Sequence, residues 1–337
     1  MLKRKLNPPP RLQLAMSPTP IEPFGLSPAP KTGIDIFLKR DDLTGAELSG
    51  NKIRKLEFIL YDAISGKADT LITCGGVNSN HCRATTAIAA RAGLGCELIF
   101  KGKRPASADG NLLLDSLFGA KMSFISEADY EEDIDGIMAK RAARLKRTGR
   151  KPYIIPEGAS NPLGMWGYVI EGIELKRQLD KTGINAEYIV CAVGSGGTYA
   201  GLLLAAHFLK WPVKVIGMAV CRNVAYFQEK VRRLIKGFSE QFDYNINLAD
   251  LRIYIDDHYI GPGYAKIGRK EASFIKGVAA NAGIILDPAY TSKAMIGLFD
   301  HIVKGKIRAK TKVVFIHTGG LLSIFPHRSM LASSRGR

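Results

Sequence analysis

Short apolar runs alternate with longer amphipathic stretches along most of this chain. Residues Ile34 to Lys39 alternate as a strand, while Thr70 to Cys74, Glu97 to Phe100, Met122 to Ile125 and Tyr153 to Ile155 are brief apolar runs closed by turn residues. Such runs suit strands buried on both faces. Between them, Ile53, Leu56, Ile59 and Leu60 fall on one helical face, predicting a helix that begins at Lys52 and closes near Ser65 and Gly66. Helices are also expected over 82–92, 111–118, about 128–147 and 166–179. The second half repeats the rhythm, with strands at 188–193, 215–220, 252–255 and 312–316 and helices at 199–209, 224–238, 264–281 and 294–303. Strands separated by helices predict an α/β fold with parallel sheets covered on both faces. Residues 157–164 read as a loop and a candidate crossing between domains, and the proline-rich residues 1–33 as an extended arm lying over one of them.

Composition narrows the class. With 337 residues, 46% hydrophobic and 23% charged, the chain can bury a large core as two domains or one large one. No stretch approaches ~18 uninterrupted apolar residues, so no membrane span is expected. Charge at the start, Met1 to Pro10, is followed by no apolar run, which argues against a secretory signal. Five scattered cysteines (74, 82, 96, 191 and 221) fit a reducing, cytoplasmic setting. None forms CxxC, and the six histidines show no HxxxH spacing, so no metal is expected. The formal charge of +17 raises the question of nucleic acid, but it concentrates in 140–151 and the tail 333–337, without a groove-reading or base-stacking motif. A solvated helix face and a frayed tail account for it.

Two stretches carry candidate chemistry. Lys52 stands at a helix start, where the positive end of the helix dipole lowers an amine's pKa. A surface lysine would be the ordinary reading, but far downstream Val193-Gly194-Ser195-Gly196-Gly197-Thr198 has the strand, glycine turn and helix start that bind phosphate. The turn lacks the Gly-Lys-Ser/Thr of a nucleotide P-loop. A dinucleotide fingerprint is disfavoured by Tyr199 and by a next strand ending in Cys221-Arg222 rather than an acid. A neutralisable amine with a phosphate cradle points to pyridoxal phosphate. Val77-Asn78-Ser79-Asn80-His81 opens another helix, whose free N–H groups suit a carboxylate or are simply capped by Asn78, Ser79 or Asn80.

Together, Asp41-Asp42-Leu43-Thr44, Gly50-Asn51-Lys52-Ile53-Arg54-Lys55-Leu56-Glu57, Asn78-Ser79-Asn80-His81, Gly194 to Thr198, Asp287-Pro288-Ala289-Tyr290-Thr291 and His317-Thr318-Gly319-Gly320 resemble the D-cysteine desulfhydrase and 1-aminocyclopropane-1-carboxylate deaminase family, from about Arg11 to Phe325. The resemblance implies pyridoxal 5'-phosphate and the tryptophan synthase β-like fold (fold type II), with two domains that each hold a mainly parallel twisted sheet. Residues 1–50 with 165–337 would form the larger, cofactor-binding domain and 51–164 the smaller, with the active site in the cleft. By the same resemblance Lys52 is the Schiff-base lysine, Asn80 partners the cofactor's phenolic oxygen, and Lys55 with Gly194, Ser195, Gly196, Gly197 and Thr198 holds the phosphate. Ser79 faces the substrate opposite Lys52, and Asn78, Ser79, Asn80 and His81 receive its carboxylate. Tyr264 and Tyr290 match active-site tyrosines.

Thr291 and Thr318 stand where the deaminase branch carries glutamate and leucine, so the chain is similar to the desulfhydrase branch there. A hydroxyl at the pyridine nitrogen gives a weaker electron sink than a carboxylate, adequate when a good leaving group departs. Ser49, Asn78, Ala265 and Ser292 depart from the family's usual residues, and Asn78 and Ala265 lie near the expected substrate. The expected activity is elimination of D-cysteine to pyruvate, sulfide and ammonia, in a homodimer. D-serine, β-chloroalanine, cysteate or the cyclopropane amino acid are alternative substrates, and a phosphate-ligand or nucleic-acid binding protein is the alternative outside catalysis.

Overall fold

The structure, a computed structural model, describes residues 6–25 and 33–332. Residues 1–5 of the stretch read for a signal, Pro28 and Pro30 of the arm, and the basic tail 333–337 lie outside them. Two sheets organise the described chain. The larger has six strands in the order β1 (Ile21–Pro23), β2 (Asp35–Lys39), β10 (Lys312–Ile316), β7 (Tyr188–Val193), β8 (Lys214–Ala219) and β9 (Tyr254–Asp256). All neighbours pair in parallel except β1 with β2. The smaller sheet, ordered β5 (Lys121–Ile125), β4 (Gly95–Lys101), β3 (Thr70–Gly76), β6 (Pro152–Ile154), is parallel throughout.

The nearly continuous apolar runs are explained by burial on both faces. In β7, Ile189, Cys191 and Val193 join the main core while Val190 and Ala192 join a second core on the opposite face. In β3, Leu71 packs into the main core, and Ile72 and Cys74 pack under α4 (Glu127–Arg147) against Tyr130 and Met138. The main core runs between α1 (Lys52–Ser65), α2 (Asn80–Arg91), α5 (Pro162–Thr182), α6 (Gly197–Phe208) and α7 (Val224–Gln241), so one apolar mass underlies both sheets.

Four sequence expectations need correction. The helix expected from Trp166 begins at Pro162 instead, because Asn161 accepts from Gly164 N at 2.8 Å and Pro162 occupies the first turn, where its missing N–H costs nothing. The helix expected from Ala294 begins at Thr291 (α9, Thr291–Val303). The helix expected directly after Tyr264 begins at Arg269 (α8, Arg269–Ala282), beyond a turn that carries the cavity-lining Tyr264. The long charged helix is broken at Asp133 (φ −152°), whose carboxylate recaps the following turn through Gly136 N at 2.9 Å.

The described part of the proline-rich arm lies along the body. Leu14 N and Ala15 N each donate to Glu57 Oε1 at 2.8 Å, Arg11 Nη1 reaches Glu57 Oε2 at 3.0 Å, and Met16 N donates to Thr44 O at 2.9 Å. Below it, the buried Arg54 binds Asp41 and Glu174, Lys39 joins Glu174 at 2.5 Å, and Thr19 Oγ1 donates to Asp41 at 2.8 Å. Thus the three ends of the arm, β2 and α5 are fastened around α1, whose first residue is Lys52.

Candidate active site

α1 starts where a turn from residues 44–51 has been pinned from two sides. Thr44 Oγ1 accepts from Gly50 N at 2.8 Å, and Asn51 N donates to Thr318 O at 3.1 Å, tying the start of α1 to the end of β10. Lys52 is 8% exposed, and its amine donates to Asn51 Oδ1 at 2.8 Å. Burial pulls its pKa down to about 8, partly opposed by Asp287. The helix start contributes to the placement, but desolvation is the main cause of the shift.

The glycine turn after β7 stands opposite. Asn51, Lys52, Gly194, Ser195, Gly196, Thr198, Tyr290 and Thr318 line one small cavity, which joins the two candidate stretches. Asn51 Nδ2 donates to Thr198 Oγ1 at 2.9 Å across it. Lys55, fully buried one turn after Lys52, donates to Gly158 O and, at 3.2 Å, to Ser160 Oγ. Ser160 Oγ lies 2.7 Å from Ser195 Oγ and accepts from Gly197 N at 3.2 Å. A β-carbon at Gly197 would stand 2.6 Å from Ser160 Oγ, so only glycine lets this hydroxyl reach the start of α6. Burial holds the Lys55 amine well below its usual range. An incoming dianion would favour its charged form while the α6 N-terminus supplies N–H groups. This donor set fits a phosphate, and Lys52 fits the amine of a pyridoxal site.

A second cavity of about 330 Å³ adjoins, with Asn78, Tyr264, Ala265, Lys266, Ser323 and His327 among its lining residues. Tyr264 and Tyr290 stand one in each cavity wall with their hydroxyls 2.5 Å apart and their rings at 78°. Burial raises both phenols, which keeps them protonated at neutral pH. Lys52 Nζ lies 5.5 Å from the centre of the Tyr290 ring. Ala265 adopts φ +54°, a left-handed conformation that disfavours a β-carbon.

The other expected site residues are placed differently. Ser79 caps α2, its Oγ accepting from His81 N and Cys82 N at 3.2 Å each, while Ser79 N donates to Gly76 O. Of the three N–H groups expected to receive a carboxylate, only that of Asn80 has no partner among the described residues. His81 is buried beneath the site, its Nε2 2.7 Å from Thr73 Oγ1. Because Thr73 donates to Ile155 O, it accepts from Nε2–H, leaving Nδ1 bare. Thr291 is fully buried, its hydroxyl exchanging hydrogen bonds of 2.7 Å with Asp287 in both directions, and only Thr318 of the threonine pair lines the inner cavity. Ser160, Asn111 and Ser323 also take part, as do Asn51 and Asp287, to which their motifs assigned no role. Each is a short polar residue whose sequence surroundings read as an ordinary cap or turn.

With this geometry described, comparison with known proteins is informative. The family model described as pyridoxal-phosphate dependent enzyme matches residues 12–319. A Thermotoga maritima protein provisionally named a 1-aminocyclopropane-1-carboxylate deaminase is 42% identical over 316 residues, covering 94% of this chain and 97% of that protein. The mitochondrial bifunctional D-cysteine desulfhydrase/1-aminocyclopropane-1-carboxylate deaminase of Arabidopsis thaliana is 40% identical over 333 residues, 96% of this chain and 81% of its own. The crystal structure of an ACC deaminase homologue superposes with a TM-score of 0.87 at 38% identity, covering 96% of this chain and 95% of that one. The chain therefore belongs to the pyridoxal-phosphate dependent enzymes, within the group that holds the D-cysteine desulfhydrases and 1-aminocyclopropane-1-carboxylate deaminases.

Proposed function

We propose that this enzyme is a lyase of the D-cysteine desulfhydrase type, converting D-cysteine and water to pyruvate, hydrogen sulfide and ammonia. The observation that carries the choice is the wall around Lys52. Among the described residues lining that cavity there is no carboxylate, and Thr318 offers a neutral hydroxyl instead. Pyridoxal phosphate bound there supplies an electron-withdrawing ring, and without a carboxylate at its nitrogen that ring is a moderate electron sink. A moderate sink is sufficient when a thiolate leaves as the α-proton is lost, and less suited to opening a cyclopropane.

Lys52 would provide the amine that holds the cofactor, and the same amine would serve as the base for the substrate's α-proton. Its pKa of about 8 makes it a competent base near neutral pH. Lys55, Ser160, Ser195, Gly197 and Thr198 would hold the phosphate, Asn80 would donate to the phenolic oxygen, and Tyr264 and Tyr290 would enclose the ring and keep water away. Asn78, whose Oδ1 is buried without a partner, and Ala265 face the substrate from the outer cavity. Ser79, with its remaining hydroxyl proton, lies on the side of α2, and the free Asn80 N–H receives the substrate carboxylate.

The same reading takes residues 1–50 with 165–337 and residues 51–164 as two domains, supported by the strands each contributes to one sheet. It takes the chain as a cytoplasmic homodimer: likeness supports the dimer, and the unpaired cysteines support a reducing compartment. No helix among the described residues is long and apolar enough to cross a membrane.

The test is a parallel assay of purified, cofactor-loaded protein with D-cysteine, L-cysteine and 1-aminocyclopropane-1-carboxylate. Sulfide and pyruvate in equal amounts from the D-isomer, at least ~10-fold faster than any product from the others, is the expected result. Faster release of 2-oxobutyrate from the cyclopropane substrate would establish the deaminase reading instead.

A further inference from the structure

Asn80 carries a donor and an acceptor at the end of one short side chain, and only the donor can serve an ionised phenolic oxygen. We propose that Asn111 is the positioning residue that decides which end of the Asn80 amide faces the cofactor, and that Arg83 fixes Asn111 in turn. The inference rests on the proposed assignment of Asn80 to the phenolic oxygen.

Arg83 sets the direction of the chain of hydrogen bonds, because a guanidinium has donors only. Arg83 Nε lies 3.1 Å from Asn111 Oδ1, so the carbonyl end of Asn111 faces Arg83 and its NH₂ faces away. That NH₂ donates to Asn80 Oδ1 at 2.9 Å and to the Asn78 carbonyl at 2.8 Å, with Ser323 Oγ at 3.3 Å. Ser323 Oγ also donates to Asn80 Oδ1, at 3.3 Å. With its oxygen occupied twice, Asn80 must turn its NH₂ to the opposite side. There Nδ2 stands 3.0 Å from where a β-carbon at Gly320 would be, and that β-carbon would also meet Asp287 Cβ at 2.5 Å. The Gly320 backbone, at φ +105°, thus leaves the amide room beside the loop that follows β10.

No described protein group accepts from Asn80 Nδ2, in a residue 7% exposed. Nδ2 is not one of the fully buried unpartnered atoms, so it keeps access to open space, where a ligand oxygen can accept from it. The remaining nitrogens of Arg83 donate to the Glu47 carbonyl and, at 2.7 Å, to the Ser49 carbonyl, in the turn that leads into Lys52. One buried guanidinium therefore secures both the approach to Lys52 and the direction in which Asn80 donates.

Loss of a donor to the phenolic oxygen raises that oxygen's hold on the proton it shares with the lysine-derived nitrogen, so the pH midpoint of the visible absorption moves upward. Asn111→Asp keeps the size and the acceptor for Arg83 but cannot donate, so Asn80 turns its NH₂ toward the new carboxylate. The expected result is a midpoint about one pH unit higher and a cofactor dissociation constant about tenfold larger. Asn80→Ala should give the same changes, and the double variant should match Asn80→Ala alone. Additive effects in the double variant, or an unshifted Asn111→Asp, overturn the relay. An unshifted Asn80→Ala overturns the underlying assignment of Asn80 instead. If Asn111→Asp does not fold, Asn111→Ala, which frees the Asn80 amide to rotate, is read in the same cycle and should shift in the same direction by less.

Discussion

Lys52 has its amine buried, with Asp287 only partly offsetting the desolvation, and the pH at which it loses its proton governs its reactivity. With a pKa of about 8, cofactor capture by the cofactor-free protein should quicken as pH rises and level off above about 8, in stopped-flow absorbance. A rise continuing toward the ordinary 10.5 of a lysine would show an exposed amine. His81 makes a second prediction at this scale. Burial holds its pKa well below 6.5, so the folded state refuses a proton that the unfolded state accepts. Stability is therefore fully present above pH 6.5 and falls below it by about 1.4 kcal/mol per pH unit, until the folded pKa is reached. Denaturant titrations of the parent and His81→Gln between pH 7 and pH 5 should show the parent losing more. Sequence could nominate both residues from their motifs. It could not show that His81 lies beneath the site bonded to Thr73, or that Thr291 is spent on Asp287, because both depend on which way a side chain turns rather than on which residues are near in sequence.

At the scale of elements, the strands were legible because burial on both faces leaves unbroken apolar runs: β7 and β10 fall where their patterns place them. Helix starts were less legible. Asn161-Pro162 and Asp287-Pro-Ala-Tyr-Thr291 carry capping chemistry that only tertiary contacts distinguish from loop. The short β1 was invisible, since three residues ending in proline make no periodic signal. Glu57 links arm to helix through two backbone N–H groups and Arg11. Glu57→Ala should cost on the order of 3 kcal/mol, given about 1.5–3 for each hydrogen bond to a charged group and imperfect additivity. It should also expose residues 6–18 to limited proteolysis; an arm equally resistant in the variant would show that other contacts hold it.

Across the whole molecule, the buried cluster of Arg54, Asp41, Glu174, Lys39 and Thr19 connects the arm, the larger sheet and α5 to the helix that starts at Lys52. Removing Arg54 leaves the fully buried Asp41 charged without its guanidinium partner, so Arg54→Met should lower stability by about 3–5 kcal/mol in equilibrium unfolding. A near-neutral result would mean that water enters and solvates the carboxylates. The alternation of strands and helices made the layered α/β architecture readable, whereas this cluster was hidden inside motifs that otherwise seemed to concern the cofactor alone. Sedimentation should give twice the 36.7 kDa chain mass if the proposed dimer forms. The basic excess sits on exposed helix faces such as that of α4, and gives no reason to expect tight nucleic-acid binding.

The most direct test of the account is to load the protein with pyridoxal phosphate, reduce it with borohydride and map the modified peptide by mass spectrometry. The account predicts a single pyridoxyl group on Lys52, lost in Lys52→Ala together with the visible absorption and turnover. A pyridoxyl group on Lys55 or any other lysine, or a Lys52→Ala protein that still turns over substrate, would contradict it.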